Sequence, residues 1–178
     1  MAAMSASSTP EAETLSPVLP DELEALARRL LETAARRKKM LATAESCTGG
    51  LLASLLTDVE GASHVFERGF VVYSDDAKCE LLGIARQDIE QCGAVSREVA
   101  IGMAEGALRQ SQADVVISIT GFAGSAGTGE EEGLVHLACA CREGPVTHRE
   151  EHFGPVGRGR VRIACLNAAI EMMLTALA

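Results

Sequence analysis

Short apolar runs alternate with capped amphipathic segments through the first two thirds of the chain, and this alternation restricts the fold more than any other feature. Met40-Leu41-Ala42-Thr43-Ala44, Phe70-Val71-Val72-Tyr73 and the run from Asp114 to Thr120 read as buried strands. Between them, Leu23, Leu26, Ala27, Leu30, Leu31 and Ala34 fall on one helical face, and Val99, Ala100, Met103, Ala104, Ala107 and Leu108 on another. Asp21 with Glu24 has the spacing of a capping box, Ser74 and Ser96 stand where N-caps are expected, and Gly83 stops a helix. Two strands about a Gly144-Pro145 turn, spanning 134–141 and 146–153, precede a final helix over 159–177. Strands alternating with helices, then a hairpin, predict a layered three-layer α/β/α domain with a mixed, mostly parallel sheet over residues 21–178. Residues 1–20 are rich in Ala, Ser, Thr, Glu and Pro and are expected to form a disordered tail.

Composition narrows the partners. The net charge is −9, which argues against nucleic acid as a main partner, since phosphate contacts need a basic surface. No apolar run reaches membrane-spanning length and no charged leader with an apolar core opens the chain, so no membrane role and a cytoplasmic location are expected. Trp is absent and aromatics are 3% of residues, so Ala, Leu, Val and Gly must fill the core, which favours close packing of helix on sheet. Six cysteines show no paired spacing of the zinc or disulfide kind; they are expected to be reduced thiols that hold no metal. Lysine is confined to Lys38, Lys39 and Lys78, and only Lys78 stands apart from a basic helix end.

In open α/β sheets ligands bind beyond the carboxyl ends of the strands. Three polar positions fall at such ends: Ser46, the Tyr73-Ser74 pair and Thr120. The stretch Glu45-Ser46-Cys47-Thr48-Gly49-Gly50 joins a strand to a helix, where free backbone N–H groups and the helix dipole favour an oxyanion or a phosphate. A capped tight turn is the alternative reading of the same residues. A serine needs a partner that takes its proton. No histidine lies at a strand end, which leaves Lys78, one helical turn beyond Ser74, as the candidate base of a Ser-Lys pair, with Thr120 to relay a proton or hold the amine. Cys47 is the rival nucleophile, because a thiol at a helix N-terminus is readily activated. The Gly-rich segment 121–133 allows close backbone approach to a ligand through Gly121, Ala123 and Gly124, and Arg158 at the start of the last helix hints at an anion nearby.

Taken together, these motifs resemble the CinA C-terminal domain family, the nicotinamide mononucleotide deamidases or nicotinamide-nucleotide amidohydrolases. The likeness is carried by Thr43-Ala44-Glu45-Ser46-Cys47-Thr48-Gly49-Gly50, by the stretch from Phe66 through Tyr73-Ser74-Asp75-Asp76-Ala77-Lys78, by Gly93-Ala94-Val95-Ser96 and by Ile117-Ser118-Ile119-Thr120-Gly121-Phe122-Ala123-Gly124. The resemblance implies hydrolysis of the carboxamide of nicotinamide mononucleotide, or a similar small anionic nucleotide, without a cofactor. It implies Ser46 as nucleophile, Lys78 as general base, Thr120 as an assisting hydroxyl, and substrate contacts from Glu45, Cys47, Thr48, Gly49, Gly50, Tyr73, Gly121, Ala123, Gly124 and Arg158. A homo-oligomer is expected. The chain departs from the family pattern at Asp75, where Asn is usual, at Ser125, where Pro is usual, at Glu131-Glu132-Gly133-Leu134-Val135, and at Val156-Gly157-Arg158, where Gly-Asp-Arg is usual. A nucleotide-binding module without turnover is therefore the second expectation.

Overall fold

The computed structural model describes residues 19–59, 62–124 and 127–178. Helix α1 (Asp21–Arg37) leads into strand β1 (Leu41–Glu45), helix α2 (Leu51–Asp58), a 3-10 turn (Ala62–His64) and strand β2 (Phe66–Val71). Helices α3 (Asp75–Leu82), α4 (Arg86–Cys92) and α5 (Arg97–Arg109) follow, then strands β3 (Val115–Gly121), β4 (Leu134–Cys141) and β5 (Thr147–His152) and helix α6 (Arg158–Ala176).

The five strands form one sheet in the order β2-β1-β3-β4-β5. β1 pairs in parallel with β2 and β3, while the β3–β4 and β4–β5 pairs are antiparallel. Half of the four pairings are thus parallel, rather than most of them. The reason is local: β3 reaches β4 through a loop on its own edge, and loops and tight turns can join only antiparallel neighbours, whereas the parallel neighbours of β1 are reached through helices.

Side-chain alternation divides the core between the two faces. Leu41, Ile117, Ile119, Val135 and Leu137 point to the face covered by α1, α2 and α6. Ala42, Ala44 and Val116 point to the other, under Leu82 of α3, Ile89 of α4 and Val99, Met103 and Ala107 of α5. Alanines pave this second face of β4 as well, where Ala138 and Ala140 meet Ala100 and Ala104. Small side chains on both partners let α5 lie close against the sheet, and this fixes the helix layer that carries Lys78.

Ser74 and Ser96 cap as their positions predict, accepting from the N–H of Ala77 at 3.1 Å and of Val99 at 3.3 Å. α1 differs: Pro20 occupies the N-cap position and Asp21 is the first helical residue, so the chain enters the helix through a proline with φ already preset. Leu19 packs against the core, which brings the last residues of the expected tail into the domain; residues 1–18 of that tail lie outside the described residues, as does Ser125. β2 begins at Phe66, before the apolar run that marks it in the sequence, because as a largely exposed edge strand it tolerates the polar side chains of Glu67 and Arg68.

Candidate active site

β2 and β1 end level with each other and with Ile119, since Glu45 is in register with both Val71 and Ile119, and β3 runs two residues further to Gly121. The residue that follows, Ser46, is pinned there: its N–H donates to the Ile119 carbonyl at 2.9 Å, while the Glu45 carbonyl accepts from Val72 at 2.9 Å. Residues 46–50 then form a compact turn into α2, with Gly49 and Gly50 both at positive φ (60° and 89°), a conformation that side-chain-bearing residues adopt only with strain. Glu45 is fully buried beneath the turn, and its carboxylate accepts from the N–H groups of Gly50 (3.1 Å), Leu52 (3.1 Å) and Ala53 (2.8 Å) and from the Thr43 hydroxyl (3.2 Å). The first turn of α2 therefore carries its own internal anion, which satisfies the free donors and the helix dipole together. The N–H groups that remain outside this arrangement are those of Cys47 and Thr48, since the Gly49 N–H donates back to the Ser46 carbonyl.

Beyond Ser46 lies a cavity of about 320 Å³, lined by Ser46, Cys47, Tyr73, Asp75, Lys78, Ala94, Val95, Arg158 and the segment Thr120–Gly124. That volume is at the lower end of the roughly 300–1,000 Å³ of small-molecule sites. Lys78 enters from α3 with its side chain only 2% exposed, and its Nζ is 3.7 Å from Asp75 Oδ1. Burial pushes the Lys78 amine below its ordinary value, and the Asp75 carboxylate opposes the shift in part. The Thr120 hydroxyl donates to the Ala94 carbonyl at 2.8 Å, so its proton is committed and its lone pairs face the remaining side. Ser46 Oγ and Lys78 Nζ are not hydrogen-bonded to each other; the two residues line the same cavity from different elements.

The thiols in this region are structured too. Cys165 of α6 neighbours Cys47 and holds the Cys47 thiol below its ordinary value although burial opposes this, while Cys165 itself is pushed up by Cys47 and by burial. Two arginines one turn apart on α6 flank the turn and the loop: Arg162 Nη2 donates to the Thr48 carbonyl, and Arg158 lies over Gly124, where an added Cβ would come within 3.0 Å of its Nη2.

A family model described as the CinA C-terminal domain matches residues 23–177. The chain belongs to the CinA C-terminal domain family. A CinA-like protein of Chlorobium phaeobacteroides (strain BS1) is 47% identical over 142 residues, which are 77% of this chain and 34% of that protein. The chain thus spans about a third of the length of this longer CinA-like relative. The nicotinamide-nucleotide amidohydrolase PncC of Escherichia coli (strain K12) is 42% identical over 134 residues, covering 74% of this chain and 81% of that enzyme. The crystal structure of the competence/damage inducible protein CihA from Agrobacterium tumefaciens superposes with a TM-score of 0.86 at 44% identity, covering 91% of this chain and 99% of that one.

In this CinA domain the positions singled out in the sequence separate into two groups. Ser46, Cys47, Tyr73, Lys78, Thr120, Gly121, Ala123, Gly124 and Arg158 all line one cavity. Glu45, Thr48, Gly49 and Gly50 do not line it; they build the turn from behind, Glu45 as the internal cap, and Gly49 and Gly50 as the positive-φ pair. Tyr73 stands at the mouth, 67% exposed. Asp75, which the sequence marks as a departure from the family pattern, and Ala94, Val95 and Phe122 also line the cavity without being among the expected site residues. Asp75 carries a signal, being one helical turn from Lys78 in the sequence, whereas Ala94 is tied to β3 by the hydrogen bond its carbonyl accepts from Thr120, a long-range contact. Among the described residues no helix is long and apolar enough to cross a membrane.

Proposed function

We propose that the chain hydrolyses the carboxamide of nicotinamide mononucleotide, giving nicotinate mononucleotide and ammonia through a Ser-Lys mechanism. The observation that carries the reading is that buried Lys78, whose amine burial drives toward neutrality, shares one cavity with the strand-end Ser46. The 42% identity to a nicotinamide-nucleotide amidohydrolase supplies the substrate. Ser46 Oγ attacks the amide carbon while its proton passes to neutral Lys78. The charged oxygen that forms is met by the N–H groups of Cys47 and Thr48, the donors that Glu45 does not occupy. Lys78 then delivers its proton to the departing amine, releasing ammonia and leaving an acyl ester on Ser46. Water hydrolyses the ester by the same exchange in reverse, with Lys78 as base, and restores the serine. Thr120 offers lone pairs to the lysine ammonium while its hydroxyl donates to the Ala94 carbonyl. Arg158 faces the substrate phosphate, and Tyr73 gives the ring an aromatic surface at the mouth.

The test is ammonia release from nicotinamide mononucleotide by the wild type and by Ser46→Ala, Lys78→Ala and Cys47→Ala. Ser46→Ala and Lys78→Ala are expected to lose about a thousandfold or more in kcat, while Cys47→Ala keeps most of its rate. Loss with Cys47→Ala alone would transfer the nucleophile to the thiol. The second reading, a nucleotide-binding module without turnover, draws on Asp75, whose carboxylate favours the protonated, inert form of Lys78. Saturable binding with no ammonia from the wild type would select it.

A further inference from the structure

We propose that Asp75 is a positioning residue: its carboxylate anchors the Lys78 amine at the cavity wall and sets the pH above which Lys78 can accept a proton from Ser46. The catalytic consequence rests on the Ser-Lys reading above; the effect of Asp75 on the ionisation of Lys78 stands without it.

Asp75 is the first residue of α3 and Lys78 the fourth, so the two side chains share a face one turn apart. Their 3.7 Å separation is an ion-pair contact, longer than a hydrogen bond. The pair is unequal in its surroundings. The Lys78 side chain is 2% exposed, whereas that of Asp75 is 47% exposed. The amine is deprived of water, and the Asp75 carboxylate beside it favours its charged form against that burial.

Titratable groups from several elements act on the amine or line its cavity. Cys79 lies beside it on α3, Cys47 reaches it from the turn after β1, and Tyr73 and Arg158 line the same cavity from the loop after β2 and from α6. Two of these, Cys47 and Cys79, act in the same direction as Asp75, and Asp75 is the strongest of the three. The neighbouring acid, Asp76, is turned away and ion-paired with Arg86 on the outer side of α3, so it does not substitute. Burial favours the neutral amine, Asp75 favours the ammonium, and burial outweighs it; the balance between them fixes the working pH of the base.

Replacing the carboxylate by an amide of the same shape separates this role from packing. With [13Cε]lysine labelling only three lysines report, Lys38, Lys39 and Lys78, so the buried one is readily followed by NMR. In Asp75→Asn the Lys78 resonance is expected to titrate about one pH unit lower than in the wild type, near the small end of the range for an adjacent opposite charge because Asp75 is half in water. The acidic limb of ammonia release from nicotinamide mononucleotide moves down by the same amount, so that below the wild-type limb the variant is faster, by about tenfold per pH unit of displacement. Asp76→Asn leaves both the resonance and the limb in place. A Lys78 midpoint that stays put or rises in Asp75→Asn overturns the proposal. If the wild type releases no ammonia, the amidohydrolase reading fails, and the NMR titration still decides whether Asp75 controls Lys78.

Discussion

Glu45 shows how one residue can matter to a site that it does not touch. Its carboxylate accepts three backbone N–H groups of the turn and first helical residues of α2 while fully buried beneath Ser46. Removing it would leave those donors and the Thr43 hydroxyl without an acceptor in a closed space, and the penalty for each orphaned donor exceeds the modest net gain of an ordinary hydrogen bond. Glu45→Ala is expected to destabilise the fold by about 3 kcal/mol, or roughly 10 °C in unfolding midpoint for a chain of this size. Ammonia release should fall with it, because the Ser46 turn loses its support. Glu45→Gln, which keeps one acceptor oxygen, should lie between. Thermal unfolding followed by circular dichroism decides the point, and an unchanged midpoint for Glu45→Ala would remove the carboxylate from any structural role. In the sequence Glu45 reads as part of the substrate motif because it adjoins Ser46. An acid just ahead of a helix is also the pattern of a dipole-compensating cap, and the two readings diverge only once the direction of the side chain is known.

At the scale of elements, the site depends on where α3 lies, and α3 is located by α5. Ser74 fixes its start, and Gly83 at φ 69° ends it with an N–H to the Cys79 carbonyl at 3.0 Å. Between the two helices Gly106 makes the closest approach: a Cβ there would fall 2.2 Å from the Leu82 carbonyl oxygen, which is backbone and cannot swing aside. Gly102, one turn earlier on α5, is different, for its Cβ would meet Ile84 Cγ1 at an ordinary 3.6 Å. The two glycines should therefore respond with opposite sign. Gly106→Ala forces α3 away and is expected to cost about 2–3 kcal/mol, together with ammonia release, because Lys78 moves with its helix. Gly102→Ala should stabilise by about 0.5–1 kcal/mol, since it removes only the entropy of a helical glycine. Denaturant midpoints of the two variants test this, and equal shifts would contradict the close-approach account. The helix itself was legible: Val99, Ala100, Met103, Ala104 and Ala107 are buried as their periodicity predicts. What could not be read was which glycine is there for space, because periodicity records the face a helix buries and not the distance to its neighbour. The same limit applies to β2, whose polar edge residues hid its first half, and to the balance of parallel and antiparallel pairs, which depends on loop routes rather than on strand composition.

For the whole molecule, the site lies where the parallel half of the sheet meets the antiparallel half. β3 belongs to both: it runs parallel to β1 and antiparallel to β4, and Thr120 near its end is in register with His136. The alternation of strands and helices predicted the parallel half and the carboxyl-end location of Ser46 and Thr120, whereas the cross-strand row beyond Thr120 comes from the hairpin register, which the sequence left open. In that row His136, 7% exposed, has its Nδ1 3.1 Å from His148 Nε2, so at neutral pH one ring donates to the other and neither needs charge. Burial lowers the proton affinity of both rings. Around them Glu150 of β5 and Glu98 of α5 pull the other way, and His152 and Arg97 reinforce the lowering. For a histidine with a depressed folded-state value, the unfolded chain binds more protons in the window between the two values. Stability therefore rises with pH across that window and declines as pH falls below about 6.5. His152 acts in the opposite direction, because Glu131 and Glu150 raise its value, but it lies on the surface where such pairs contribute little. The contribution of the two rings is a loss of unfolding midpoint between pH 6.5 and 5, separate from that of the Lys78 amine, which acts at higher pH. His148→Gln, which removes one of the two titrating rings while keeping a hydrogen-bonding side chain, should reduce that slope to roughly half. Calorimetric midpoints at half-unit pH steps on both proteins measure it. A slope identical in the two would mean that the acid loss arises outside the ring pair of His136 and His148.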